Sequence, residues 1–489
     1  MENIKCNNIN INIKNEVNSK GNISYIDEEE MNVMNSGFVN NLNMILATDF
    51  YQLTMGAAYY QYNLENNIEE EDDIATFELF IRKFPKHRNY LIFAGLEQAL
   101  QYLLNARFTE QTIKFLREKE VFKNIDSSFF DEYLPKFKFN VDVWAMKEGN
   151  FFFPNEPVIR VQGPLFHAQI AETYLLNVIN FQTLVASKAS RIKTVAPDKV
   201  LLEFGTRRSH SPLAGVYAAR ASYIAGFNGT SNVIADLELG INSTGTMAHS
   251  FVQKFDDELD SFNLYYKIYE RDSILLIDTY DTEIGAEKSC KFGNNIKGVR
   301  IDSGDLIEHA KKVRKILDKN GCEKVLIVAS SDLNEYKIKE IIDKKVPIDA
   351  FGVGTELATS RDDPTISGVY KLIEYNNVPK IKISEEKLTY PGKKQVYRIC
   401  DKDGMFKEDL LALENEPAPP NSEALLIPII KNGELIKPYP KLDAIQNYYL
   451  DNIKKLPDSY KKLKEAKIFK LKVSKKLEQL TNSLSQKYP

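Results

Sequence analysis

The sequence predicts an α/β protein centred on a barrel of parallel strands, and three observations carry that prediction. Between Val200 and Leu372 apolar, β-branched runs recur, each followed by a small or polar cluster and then a helical segment. Strands alternating with helices imply a parallel sheet. The polar groups gather where the strands end, at Gly205-Thr206-Arg207-Arg208, Asp278-Thr279-Tyr280-Asp281, Asp302-Ser303-Gly304-Asp305, Ser330-Ser331-Asp332 and Gly352-Val353-Gly354-Thr355. An α/β barrel builds its site from such strand ends. Five clusters from five strands also exceed what the single crevice of a doubly wound sheet recruits.

The elements follow in order. Residues 1–41, rich in Asn, Ile and Glu, read as a disordered extension with a short helix near Glu28 to Met34. A first domain over 42–163 begins with a helix capped by Thr48 or Asp49 and containing Leu53, Ala57 and Ala58. An acidic linker, Glu65 to Asp73, leads to a half-buried strand over Ala75 to Phe84, then to helices over Phe93 to Asn105 and Glu110 to Glu118. Apolar runs broken by Gly and Pro from Val141 to Val161 read as strands, and Gly163-Pro164 marks a boundary. The barrel is expected over 164–383. It opens with an apolar helix from Gln169 to Ser187, and its strands are Val200–Phe204, Ile274–Ile277, Val299–Ile301, Val325–Val328, Ile348–Phe351 and, less clearly, Val369–Leu372. The remaining 384–489 are Lys-rich, with Pro-containing loops from Glu416 to Pro428 and a helical, basic tail from Ser459. They read as a C-terminal cap on the first domain.

Bulk properties exclude several classes. At 489 residues, with 43% hydrophobic and 27% charged, the chain has material for two to three globular domains. Lys and Arg number 64 against 68 Asp and Glu, so nothing asks for nucleic acid or an anionic membrane. Cys6, Cys290, Cys322 and Cys400 form no C-x-x-C pair, which argues against a disulfide framework or zinc site. No apolar stretch approaches a membrane span and no signal core opens the chain, so a cytoplasmic protein is expected.

His249, one of five histidines, stands among small and hydroxyl residues in Gly245-Thr246-Met247-Ala248-His249-Ser250. An uncrowded imidazole serves as base, metal ligand or nucleophile, and the plainer alternative is a structural histidine at a helix start. Gly352-Val353-Gly354-Thr355 offers a backbone cradle for phosphate, or simply a tight turn; it is neither a Walker A loop nor G-x-G-x-x-G. Arg207 and Arg208 repel each other unless an anion joins them, and guanidinium forks suit phosphate oxygens. Arg300, inside a strand pattern, needs a partner, either a nearby acid or a ligand carboxylate. Asp278, Asp302 and Asp305 suit Mg²⁺ or sugar hydroxyls, or cap the following helices, the last reading suiting Asp305. A diphosphate-bearing sugar with Mg²⁺ satisfies this whole set.

In this order the motifs resemble the nicotinate phosphoribosyltransferase family: TDFYQLTM at 48–55, the Arg-Arg pair at 207–208, STGTMAHSF at 243–251, LLIDTYDT at 275–282, GVRIDSGDL at 298–306 and FGVGTEL at 351–357. The resemblance runs from Thr48 to about Ile383 and more loosely beyond. It implies an irregular α/β (TIM-like) barrel of the type II phosphoribosyltransferase kind, an N-terminal α+β domain, and homodimers with shared sites. It implies synthesis of nicotinate mononucleotide and diphosphate from nicotinate and phosphoribosyl pyrophosphate, the first step of NAD salvage from nicotinate, with Mg²⁺ or Mn²⁺ and with ATP as co-substrate through a phosphohistidine at His249. Tyr51, reaching over from the partner subunit, looks like an aromatic plate for the pyridine ring, and Thr246 and Arg300 look like nicotinate contacts. Arg207, Arg208, Gly354 and Thr355 look like phosphate holders, and Asp278 and Asp302 like ribose or metal partners. The chain departs from the pattern at Ser209-His210, where relatives more often carry Ala and Gln, and in its Asn-rich tail. The rival readings are a nicotinamide phosphoribosyltransferase, or a non-catalytic NAD-pathway binding protein on the same fold. An unpaired Arg300 and the neighbours Phe50 and Gln52 around Tyr51 point to nicotinate.

Overall fold

The computed structural model describes residues 41–383 and 389–487, so of the expected extension over 1–41 all but Asn41, which opens the short 3-10 helix Asn41–Leu46, lies outside the described residues, its expected helix included. The chain enters through helix α1 (Phe50–Asn66). Asp49 occupies its N-cap position without capping it, because its Oδ2 accepts instead from the Thr173 hydroxyl at 2.7 Å. Strand β1 (Ile74–Ile81) follows, then helices at Leu96–Asn105 and Glu110–Arg117, strand β2 (Asp142–Ala145) and strand β3 (Ile159–Pro164).

Helix α2 (Glu172–Val195) runs eight residues past the apolar stretch that predicts it. Its second half buries Lys188, Ser190 and Arg191, which are polar but partnered, so burial there does not show as an apolar run.

The barrel strands are β4 (Val200–Glu203), β5 (Gly229–Thr230), β6 (Ile274–Leu276), β7 (Gly298–Ile301), β8 (Leu326–Ala329) and β9 (Ala350–Val353). All pair in parallel in the order β5-β4-β9-β8-β7-β6. That order is the chain order read around a circle, with a gap between β5 and β6. A parallel bridge from Thr230 to Ser243 extends the β5 side into the gap. Helices α3 (Pro212–Ile224), α4 (Leu306–Lys319) and α5 (Glu335–Asp343) follow β4, β7 and β8. Strands buried on both faces read as continuous apolar runs, and β9 is buried at every residue.

The last run expected in the barrel is not part of it. Strand β10 (Gly368–Tyr375) pairs antiparallel with β1, giving the N-terminal sheet an edge built from the far end of the barrel sequence. Only Tyr370 and Ile373 in it are buried, and the rest, Lys371 and Glu374 among them, stay partly exposed, unlike the fully buried β9. The barrel's strands therefore end at Val353, well before residue 383.

After the barrel, β11 (Lys394–Cys400) and β12 (Phe406–Leu413) form a four-stranded sheet with Ser422–Ala424 and Leu471–Val473. The expected helical tail from Ser459 is interrupted by that last strand, which pairs parallel with β12. Strand β13 (Ile427–Lys431) leaves this region to pair with β2, so the N-terminal sheet of seven strands is assembled from three separated parts of the chain.

A buried charge cluster joins the C-terminal sheet to the N-terminal domain. Arg398 binds Asp409 through two nitrogens, at 3.1 and 2.6 Å, and reaches the Phe151 carbonyl at 2.9 Å. Fully buried Glu156 stands beside them, accepting from the Phe153 amide at 2.9 Å. Burial first, and then the Asp409 charge, hold the Glu156 carboxyl well above the usual carboxylate range, against the pull of Arg398. The folded protein thus keeps a proton that the unfolded chain releases above about pH 4.3. Stability from this group is complete below that value and is lost as pH rises toward the folded pKa, by up to about 1.4 kcal/mol per pH unit. Glu156→Gln is expected to flatten the fall in melting temperature as pH rises above about 4.3. Parallel melting curves for variant and parent would contradict this account.

Candidate active site

The site is built on a repeated spacing at the ends of β6 and β7. Each strand is followed by an aspartate, and a second aspartate stands three residues later: Asp278 and Asp281, Asp302 and Asp305. The second of each pair caps a helix. Asp281 Oδ1 accepts from the Glu283 and Ile284 amides, and Asp305 Oδ1 from those of Ile307 and Glu308. The first of each pair is left to the barrel mouth.

There the two are locked together. Asp278 Oδ2 accepts from the Asp302 amide at 2.8 Å and the Ser303 hydroxyl at 2.6 Å. Asp302 Oδ1 accepts from the Ser330 hydroxyl at the end of β8. Its Oδ2 lies 3.4 Å from Arg300 Nη2 and 3.7 Å from His249 Nε2. Arg300, on β7, donates through Nη1 to the Thr246 hydroxyl and to the Met247 carbonyl, the latter at 3.2 Å. Arg300 is therefore not unpaired, as the nicotinate reading of the sequence supposes; it shares Asp302 with His249. Its Nε and the second oxygen of Asp278 are both buried without a hydrogen-bond partner. Each such atom costs about 1–3 kcal/mol when left unmet, so the mouth is poised for a polar ligand.

His249 is the first residue of a short helix, His249–Gln253, where the plainer alternative places a structural histidine. Its ring is not buried, however: the side chain is 38% exposed. Nδ1 lies 3.1 Å from the Thr279 hydroxyl, and Nε2 faces Asp302. Nδ1 is oriented by the Thr279 hydroxyl, and the ring as a whole is partly exposed.

A second group sits on the other side of β8. Arg207 and Arg208 form a single turn after β4, both exposed, and neither makes an ion pair among the described residues. Gly354 and Thr355 start the helix Thr355–Ala358 after β9, the neighbour of β4. The two turns touch: a Cβ on Gly205 would lie 3.1 Å from the Gly354 carbonyl oxygen and 2.4 Å from Ala358 Cβ. Glu203, fully buried at the end of β4, clamps this region by accepting from the Gly205 amide and, at 2.7 Å, from the Thr230 hydroxyl. Burial raises its pKa.

Tyr51 is not brought to either group. It is about half exposed on α1, and its hydroxyl donates to Glu172 Oε2 at 3.2 Å. His210 is exposed beside the arginine turn. Sequence reasoning assigned no role to Thr279, Ser303, Ser330 or Glu203. The first three are hydroxyls in the strand-end clusters, a signal that names the cluster without saying which member turns inward. Among the described residues no group of three or more His, Cys, Asp and Glu could hold a metal.

Comparison with known proteins matches three family models in order along the chain. They are described as the nicotinate phosphoribosyltransferase N-terminal domain over residues 46–180, the nicotinate phosphoribosyltransferase family over 200–410, and its C-terminal domain over 418–481. A nicotinate phosphoribosyltransferase of Mycobacterium tuberculosis is 40% identical over 427 residues, covering 86% of this chain and 89% of the relative. That of Bacillus subtilis is 38% identical over 470 residues, covering 88% and 93%. The solved structure of human nicotinic acid phosphoribosyltransferase superimposes with a TM-score of 0.78 at 26% identity, covering 90% of this chain and all of that one. The Pyrococcus furiosus nicotinate-nucleotide pyrophosphorylase gives 0.70 at 27% identity, over 86% and 99%.

Proposed function

Because the chain belongs to the nicotinate phosphoribosyltransferase family, with the type II phosphoribosyltransferase fold, it is a nicotinate phosphoribosyltransferase, and we propose that ATP energises its reaction through phosphorylation of His249. The observation that carries the proposal is the shared carboxylate: Asp302 links Nε2 of His249 to Arg300, so a charge placed on the imidazole alters what Arg300 pairs with.

In the transfer, the pyridine nitrogen of nicotinate bonds to the anomeric carbon as the carbon–oxygen bond to diphosphate breaks. Positive charge develops on the sugar and negative charge on the leaving group, so pre-placed donors and fixed geometry lower the barrier. Arg300 and Thr246 are assigned to the nicotinate carboxylate. Arg207, Arg208 and the Gly354–Thr355 turn are assigned to phosphate and diphosphate. Asp278 and Asp302 are assigned to the ribose hydroxyls. The same two residues offer hard oxygen donors, and the unpartnered Asp278 oxygen would help hold a Mg²⁺ or Mn²⁺ ion. Such an ion supplies charge neutralisation for the leaving group.

In the ATP step, a phosphorus–nitrogen bond forms on His249 as the bond to ADP breaks, and water later releases phosphate. With the Nδ1 proton donated to Thr279, Nε2 carries the lone pair that attacks. A phosphoryl group there stands next to Asp302 and competes for Arg300, which is how phosphorylation would reset the nicotinate pocket.

Tyr51 reaches this mouth only from a second copy. Leu213, Val233, Ile234, Leu237, Tyr280 and Ile284 stand exposed on segments that follow β4, β5 and β6, and apolar residues gathered around a mouth mark an interface. A homodimer with shared sites is the arrangement we propose. Among the described residues no helix is long and apolar enough to cross a membrane. Cys290, Cys322 and Cys400 are free thiols, which fits the reducing cytoplasm.

Product analysis with phosphoribosyl pyrophosphate and equal nicotinate or nicotinamide, with and without ATP, tests the reading. Nicotinate mononucleotide, formed faster with ATP, is expected, from a species sedimenting at about twice 55.9 kDa. Equal rates with and without ATP would remove the phosphohistidine, and an active monomer would remove the shared site.

A further inference from the structure

We propose that Lys188 is a positioning residue for the phosphate-holding turn at Gly354–Thr355; the inference rests on the function assigned above to that turn. Lys188 lies on α2, 1% exposed, and no step of the reaction uses it. Its Nζ is 2.7 Å from Glu335 Oε2, 3.0 Å from Asp362 Oδ1 and 3.9 Å from Glu356 Oε2. Glu335 begins α5, just after β8. Glu356 and Asp362 lie on the segment that continues directly from Thr355.

Other cations complete the hub. Arg191, one turn along α2, donates to Glu335 Oε1 at 3.0 Å. Arg88 binds both oxygens of Asp362, at 2.7 and 3.1 Å, and the Ser360 hydroxyl at 2.9 Å. Arg361 lies 3.6 Å from Glu356 Oε1. The cations hold the Asp362 and Glu335 carboxyls below the ordinary carboxylate range.

Two features make this a positioning device. The link from hub to turn is short and stiff: the Gly354 carbonyl accepts from the Leu357 and Ala358 amides, the Thr355 carbonyl from Thr359, and the Glu356 carbonyl from Arg361. The same segment abuts the arginine turn, since Ala358 fills the space that a Cβ on Gly205 would need. A displacement of residues 356–362 therefore reaches both phosphate-holding turns, while Arg300 and His249 lie beyond β8. Energetics point the same way. A buried lysine among carboxylates returns little net stability compared with an apolar residue of its shape, whereas it fixes geometry strictly.

The test separates the two substrates. Lys188→Met is expected to raise KM for phosphoribosyl pyrophosphate, and Kd for inorganic diphosphate by calorimetry, about tenfold, with KM for nicotinate changed by less than about twofold. Asp362→Asn should act in the same direction, and the double variant should fall short of the two effects combined, as contacting residues do. Should Lys188→Met fail to fold, Asp362→Asn decides alone, because Lys188 then keeps Glu335. A lowered melting temperature with diphosphate affinity unchanged, or equal losses for both substrates, would overturn the proposal. Diphosphate binding is read without turnover, so a protein that binds diphosphate yet makes no nicotinate mononucleotide would sink the functional reading and leave this inference standing.

Discussion

Arg300→Ala is expected to raise KM for nicotinate by about a hundredfold or more, while KM for phosphoribosyl pyrophosphate moves by less than about threefold. The magnitude has two sources. The ligand carboxylate loses a charge-assisted partner. Asp302 also loses the guanidinium 3.4 Å away, its arginine partner among the described residues, and so becomes a poorly compensated charge in the mouth. Arg300→Lys is expected to recover only part of the loss. One ammonium cannot reproduce a fork that holds Thr246 and the Met247 carbonyl through one nitrogen and Asp302 through another. Steady-state kinetics with each substrate varied in turn provide the check. If nicotinate affinity survives the alanine, Arg300 is a structural partner of Asp302 and the carboxylate is read elsewhere.

His249→Asn is expected to abolish both labelling of the protein by γ-labelled ATP and the stimulation of turnover by ATP. The ATP-independent rate should remain within about threefold of the parent's, because the substitution spares the phosphate-holding turns. Asparagine keeps a side chain able to hydrogen-bond Thr279 Oγ1 but has no nucleophilic nitrogen. Label retained on the variant would assign the phosphoryl acceptor to another residue. A variant lacking label but with ATP stimulation intact would separate ATP use from covalent chemistry and end the phosphohistidine proposal.

Much of this site is legible in the sequence because its signals are local. A strand that ends in a polar cluster before a helix can be read from a dozen residues, and all five clusters lie at the ends of barrel strands in the structure. The paired aspartates show where that reading stops. Sequence alone leaves Asp278, Asp302 and Asp305 open to capping or chemistry. The backbone resolves them, since the aspartate three positions beyond the first meets the opening amides of the helix and the first, nearer the strand end, does not.

Other readings fail for one reason. Val369–Leu372 has the texture of a strand, but texture does not name a partner, and β10 finds β1 nearly three hundred residues earlier. Its two charged residues, Lys371 and Glu374, were the available sign that it lies in an open antiparallel sheet and not in a barrel wall. The polar half of α2 hides its burial in the same way, because Lys188 and Arg191 are matched by Glu335 and Asp362 from more than a hundred residues away.

By itself, then, the sequence determined the class of fold, the strand-end location of the polar clusters and the candidate residues for holding anions and for a reactive imidazole. Those follow from periodicity and from side-chain chemistry, which act over a few residues. Only the tertiary structure decided that Asp302 is shared by Arg300 and His249, that Tyr51 stays away from the mouth of its own chain, that three distant segments make one N-terminal sheet, and that buried Lys188 pairs with carboxylates on the segment after Gly354–Thr355. These are pairings across long loops, selected when the whole chain buries its apolar surface and every desolvated charge must find a partner.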